Sequence, residues 1–210
     1  WKAASYLVKN LDEADGHLQT GFLGVKHLCP VLSDNGYPDY AYSLLLNETY
    51  PSWGFSISQG ATSIWERWDG WTKENGFQSA SMNSFNHYAY GSVGEWLFSR
   101  MAGIDWDEAL PGFENIRFRP LFNKRLGWVK ASYESSRGLI KSAWKYGRNG
   151  VELTIEIPPN CSGTVELPKG CQITKLTTDN DGVSTTDLQP GQLIIDNLKA
   201  GTYTLNVSES

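Results

Sequence analysis

Residues 50–71, YPSWGFSISQGATSIWERWDGW, set two carboxylates, Glu66 and Asp69, among aromatic rings, with Arg67 between the acids. Besides Tyr50 the stretch carries five rings: Trp53, Phe55, Trp65, Trp68 and Trp71. A soluble loop does not normally offer so many indoles to water. The rings therefore either fill a core or line a cavity whose polar contents are Glu66 and its neighbours. A carboxylate among aromatic walls suits proton transfer, because its ionisation responds to desolvation and to nearby charge. Glu66 and Asp69 would share a helix face if the stretch were helical, which would suit an acid–base pair. The plainer alternative is an ion pair of either acid with Arg67 or Arg100.

His87, in SFNHYAYGS, is the second candidate. The apolar spacing predicts a helix over 84–102 with Ser84 as N-cap; Phe85, Tyr88, Ala89, Val93, Trp96 and Met101 form its buried stripe and Gly103 ends it. A His in the first turn faces the positive end of the helix and tends to stay neutral, which suits hydrogen bonding to a sugar hydroxyl. The alternative is a core His satisfied by backbone carbonyls. His17 and His27 have weaker claims, although the turn after His17 could approach the same cavity. No Gly-x-Ser-x-Gly elbow supports serine catalysis. No Cys-x-x-Cys or His-x-x-x-His spacing points to a zinc site, and no cofactor is expected.

The elements that must position these residues change character along the chain. Up to about Gly112 the apolar spacing is helical. Residues 22–33 place Phe22, Val25, Leu28, Cys29 and Leu32 on one face, Gly36 can close that helix, and Pro38-Asp39 opens the next. Long connectors follow, above all 50–83, and connectors of that length are usually functional. From about Ile116 the period becomes two. RLGWVKASYES, SRGLIKSAWKY and the strand from Val151 read as an antiparallel meander, and TVELP, QLIID and TYTLNV add short strands. The expected architecture is a helical domain over 1–112 and an antiparallel β-sandwich over 113–210, joined near Pro111–Asn115.

Composition narrows the function. The net charge is −5 over 210 residues with no basic stripe, which argues against nucleic acid. No apolar run is long enough to span a membrane. Nine Trp and ten Tyr fit either a bulky core or sugar binding, where ring faces pack on pyranose C–H groups. The three cysteines, Cys29, Cys161 and Cys171, exclude a fully paired framework; Cys161 and Cys171 could meet across a hairpin. The opening WKAASYLVKNLDE reads as part of an amphipathic helix, as though cut from a longer polypeptide.

HLQTGFLGVKHLCPVL, the 50–71 stretch and SFNHYAYGSVGEWLF, in that order, resemble the last third of the bacterial α-L-rhamnosidase catalytic domain and the β domain after it. The resemblance implies part of an (α/α)6-barrel that removes terminal α-L-rhamnosyl groups from plant glycosides and polysaccharides with inversion. It implies Glu66 as general base and His87 as a contact to rhamnose in the −1 subsite, with Trp65 and Trp68 shaping the pocket. The family's general acid belongs to an Asp/Glu/Arg-rich motif nearer the N-terminus, which this sequence lacks. The expected partners are therefore a rhamnose-containing glycoside or polysaccharide and the missing N-terminal part of the same polypeptide. A periplasmic or extracellular setting is favoured over a cytoplasmic one. Two rivals stand beside this reading: another inverting (α/α)6 glycosidase with a different sugar, and a non-catalytic carbohydrate-binding or scaffold fragment.

Overall fold

Helix α1 (Lys2–Glu13) is followed by α2 (Phe22–Asp34), which buries Val25, Leu28, Cys29 and Leu32, the face expected from the spacing. Gly36, at φ +90°, ends α2: its amide bonds to Ser33 O at 3.3 Å and that of Tyr37 to Leu32 O at 2.8 Å. This is the paired closure that a left-handed glycine permits. Pro38 then opens α3 (Pro38–Leu45), its missing N–H being one the first turn does not need, and Asp39 sits in that turn. The long connector contains one short helix, α4 (Trp53–Ser58), capped by buried Ser52, whose Oγ accepts from Phe55 N at 3.0 Å. It also contains a small hairpin of β1 (Trp71–Thr72) and β2 (Gly76–Phe77). These positions belong to a computed structural model that describes residues 2–179 and 193–209.

The helix predicted over 84–102 does not form as one element. Residues 84–88 are not helical; Ala89–Ser92 is a 3-10 turn, Val93–Trp96 a single α turn (α5), and Leu97–Met101 a π-helical turn. The cause is competition for backbone groups. The carbonyls of Ser84 and Phe85, which would accept the first intrahelical bonds, accept instead from Glu66 N and Ser63 Oγ. Ser84 caps no helix; its Oγ accepts from Asn86 N at 3.2 Å. Tyr88, placed in the buried stripe by spacing, is 86% exposed. Gly103, at φ +80°, does follow the last turn.

The chain divides into two compact units, Trp1–Trp96 and Leu97–Ser210. In the first, fully buried Tyr42 meets Trp96 edge to face at 5.1 Å, and Trp96 Nε1 donates to Ser33 Oγ at 2.8 Å. The second is a two-sheet β structure. One sheet runs β5 (Trp128–Ser135), β6 (Gly138–Gly147), β7 (Gly150–Ile157), β11 (Gly201–Glu209), β9 (Cys171–Thr178), all antiparallel. The other runs β10 (Ile194–Leu198), β8 (Ser162–Glu166), β4 (Asn115–Phe118), β3 (Ile104–Trp106). The meander β5-β6-β7 follows the sequence reading, but β4 pairs with β8 in parallel, so the sandwich is not wholly antiparallel. Its first strand, β3, precedes the point at which alternation shows in the sequence. Of the segment QLIID, Gln192 lies outside the described residues.

Period-two alternation sends Ile140, Trp144, Leu153, Ile155, Tyr203 and Leu205 of one sheet and Ile116, Phe118 and Val165 of the other into a single core. Asp105, buried, pairs with Arg100 at 2.8 Å and with Arg119, so no charge there is left alone. All three cysteines are free and buried; Cys161 and Cys171 do not pair. Burial pushes the thiol of Cys29 up to about 12 and that of Cys171 to about 11. Two predictions follow from this packing. At neutral pH the thiols should react slowly with iodoacetamide in the folded protein, and all three should titrate in denaturant; fewer than three would reveal a disulfide. Gly150 has φ +125°, and a Cβ there would lie 2.1 Å from Val207 O, so Gly150→Ala should cost about 2–3 kcal/mol in urea unfolding. A loss under ~0.5 kcal/mol would sink the backbone-contact account.

Candidate active site

Two segments that contain no regular helix, 63–70 and 83–87, are laced together by their backbones. Glu66 N donates to Ser84 O at 2.8 Å and His87 N to Ile64 O at 2.8 Å. Ser63 Oγ donates to Phe85 O, and Asn83 Nδ2 donates to Gly70 O at 3.0 Å. A Cβ at Gly70 would sit 2.6 Å from Asn83 Oδ1, so a larger residue there would displace the Asn83 side chain. The lacing brings the stretches carrying Glu66 and His87 side by side.

Glu66 is half-buried, and its Oε2 accepts from Ser84 N at 2.8 Å. Its other carboxylate oxygen has no protein partner among the described residues. No arginine pairs with it. Arg67 turns instead to Asp69, donating to both carboxylate oxygens at 3.1 and 3.2 Å. Because residues 63–70 are not helical, Glu66 and Asp69 do not share a helix face, and Asp69 is committed to an ion pair. Glu66 and Asp69 therefore do not form the helical pair that their spacing suggested. Arg100, the other arginine considered for these acids, pairs with Asp105.

His87 lies before the 3-10 turn, with no helix terminus behind it. Its ring stacks on Phe22 at 4.7 Å with 25° between planes, and against Tyr88 at 5.7 Å. Nδ1 accepts from Ala89 N at 3.3 Å, which assigns the proton of the neutral ring to Nε2. Nε2–H therefore remains available as a donor. His17 is used structurally, its ring nitrogens meeting Ala14 O at 3.1 Å and Thr49 Oγ1 at 2.8 Å, while His27 is exposed on α2.

Trp65 and Trp68 are 8% and 9% exposed. Trp68 stacks on Tyr90 at 3.8 Å and meets Trp53 edge-on at 5.3 Å; Trp53 Nε1 donates to Tyr90 O at 2.9 Å. Trp65 meets Phe85 edge-on at 5.1 Å. The indoles thus tie the Glu66 segment into a buried aromatic cluster. Sequence reasoning missed Ser63, Asn83, Phe22 and the Ser84 amide. For the first two the only signal was a Ser and an Asn flanking the motifs, and for the amide there was none.

A half-buried carboxylate with one free oxygen, a half-buried imidazole and an aromatic bed, on a helical unit followed by a β unit, are the kinds of group that carbohydrate-hydrolase sites use. Residues 1–101 match the bacterial alpha-L-rhamnosidase six-hairpin glycosidase domain and residues 103–178 the bacterial alpha-L-rhamnosidase C-terminal domain. The chain belongs to the bacterial α-L-rhamnosidase family. It is 44% identical over 166 residues to an α-L-rhamnosidase of Streptomyces avermitilis and 43% identical over 166 residues to one of Formosa agariphila. Those matches take in 79% of this chain but 16% and 18% of the relatives, so it spans less than a fifth of their length. A solved Streptomyces avermitilis α-L-rhamnosidase complexed with L-rhamnose is similar at TM-score 0.80 and 38% identity, covering 97% of this chain and 19% of that one. An Aspergillus terreus α-L-rhamnosidase gives TM-score 0.74 and 30% identity, over 93% and 21%.

The His87 geometry is directly testable. In nitrogen-15 spectra of the neutral ring, His87 should show the Nε2-protonated pattern, and Nδ1 protonation would contradict the Ala89 hydrogen bond.

Proposed function

We propose that this chain contributes the general-base half of an inverting hydrolase of terminal α-L-rhamnosyl groups. Residues 1–101 would form part of its (α/α)6-barrel and the residues from 103 on the following β domain. In this reading Glu66 holds and deprotonates the attacking water, and His87 donates from Nε2 to a rhamnose hydroxyl. Trp65 and Trp68 act from below, keeping the base segment rigid beside the sugar. The general acid comes from outside residues 1–210, because inversion needs two carboxyl groups about 6.5–9.5 Å apart with water between base and anomeric carbon.

One observation carries the proposal. Glu66 is gripped through Oε2 by a backbone amide, which fixes its direction without occupying its second oxygen. Asp69, by contrast, has both oxygens engaged by Arg67. Kinship with α-L-rhamnosidases supports rhamnose as the sugar, and a panel of aryl glycosides on the intact enzyme separates that from an inverting relative with another specificity.

In the intact enzyme Glu66→Gln should lower kcat about 10³-fold while rhamnose binding persists. The first-formed sugar seen by proton NMR should have the inverted anomeric configuration. A kcat within about threefold of the parent would remove Glu66 from the base role. Residues 1–210 alone should hydrolyse little or no aryl rhamnoside, since half of the acid–base machinery lies elsewhere.

A further inference from the structure

Phe22 is the first residue of α2, and its ring stacks on the His87 imidazole with centroids 4.7 Å apart and 25° between planes. We infer that Phe22 is a positioning residue for the reaction, holding the His87 ring in the plane from which Nε2–H reaches a sugar hydroxyl. The inference rests on the reading of His87 as a sugar contact in the proposed function.

Three features carry it. First, the imidazole is under-restrained without the stack. Among the described residues its one hydrogen bond runs from Ala89 N to Nδ1, at 3.3 Å, long for an N–H donor. The terminal torsion of a histidine has a broad minimum, so a single long bond lets the ring rock about Cβ–Cγ and swings Nε2 with it. A ring face at stacking distance removes that freedom. Tyr88 also lies parallel to the imidazole, but at 5.7 Å and 86% exposed; Phe22 is the closer and better shielded partner. Second, Phe22 is itself fixed. The first turn of α2 closes on Gly21, whose carbonyl accepts from Gly24 N at 3.2 Å and from Val25 N at 3.1 Å. Thr20 packs against the same turn, since a Cβ at Gly24 would lie 3.0 Å from Thr20 Cβ. The Phe22 and Tyr90 rings meet edge to face at 5.2 Å, and Tyr90 stacks on Trp68 at 3.8 Å. Phe22 thus touches His87 and Tyr90, and through Tyr90 reaches the indole two residues after Glu66.

Third, the ring is not spent on the core. The face that α2 buries is Val25, Leu28, Cys29 and Leu32, whereas Phe22, one turn earlier, is only half-buried. Its face goes instead to an imidazole whose Nδ1 is occupied and whose Nε2–H is open. A stack on that ring restrains its plane without competing for either nitrogen, which no hydrogen-bonding side chain in the same place would do.

The test is a double-mutant cycle in the intact enzyme, read as KM and kcat with an aryl rhamnoside, alongside amide hydrogen exchange in residues 1–210. Phe22→Leu keeps an apolar side chain but removes the ring face, and Phe22→Tyr restores it. Phe22→Leu should raise KM about tenfold with kcat within about threefold of the parent, and Phe22→Tyr should stay near the parent. In a His87→Ala background Phe22→Leu should change KM by less than about twofold, because the ring it holds is gone. In residues 1–210 carrying Phe22→Leu, the Ala89 amide should exchange about tenfold faster while those of Glu66 and Gly91 keep their parent rates. An equal KM rise in both backgrounds, or lost protection spread to Glu66 and Gly91, would make Phe22 ordinary packing and overturn the inference alone. A His87→Ala enzyme with unchanged KM would instead sink the sugar-contact reading of His87, and this inference with it.

Discussion

Much of the helical unit's chemistry depends on the backbone pairing between residues 63–66 and 84–87. Without it, both stretches would be long polar loops whose amides look to water, and Glu66 and His87 would have no defined relation. Each hydrogen bond in the lacing contributes only about 1 kcal/mol net. Several of them closing one short circuit, over a bed of buried indoles, restrict the carboxylate far more than any single contact does. The aromatic contacts of Trp68 with Tyr90 and Trp53 supply the apolar part of that restriction.

The division of labour between the two acids follows from the same circuit. Both are half-buried and three residues apart, yet Asp69 faces a guanidinium and Glu66 faces a peptide amide. The Arg67 fork engages both oxygens of Asp69, whereas the Ser84 amide engages one oxygen of Glu66. The β unit shows the opposite strategy, with Asp105 buried between Arg100 and Arg119 and spent on structure.

Sequence periodicity identified α2, α3 and the meander β5-β6-β7 because those elements bury one face against their immediate neighbours, so pattern and packing agree. The WERW motif also stood out, through its density of rings around an acid. What could not be read was anything decided by long-range hydrogen bonding. Residues 84–102 have good helical spacing, but the first two carbonyls are taken by donors from a segment some twenty residues away in the chain. Trp65 and Trp68 stand beside the acid in the sequence, but their ring partners Phe85, Tyr90 and Trp53 come from other segments and nothing in the local spacing marks them. Phe22 stacks on His87 from a different helix, and no local pattern announces it.

That the Glu66 grip comes from a peptide N–H and not from a hydroxyl has an evolutionary corollary. The side chain at position 84 is free to drift among relatives without loosening the carboxylate, provided the residue keeps its amide hydrogen; an imino acid is the one natural choice that removes it. Across homologues, variability at 84 with proline excluded would be the fingerprint of a site assembled by main chain.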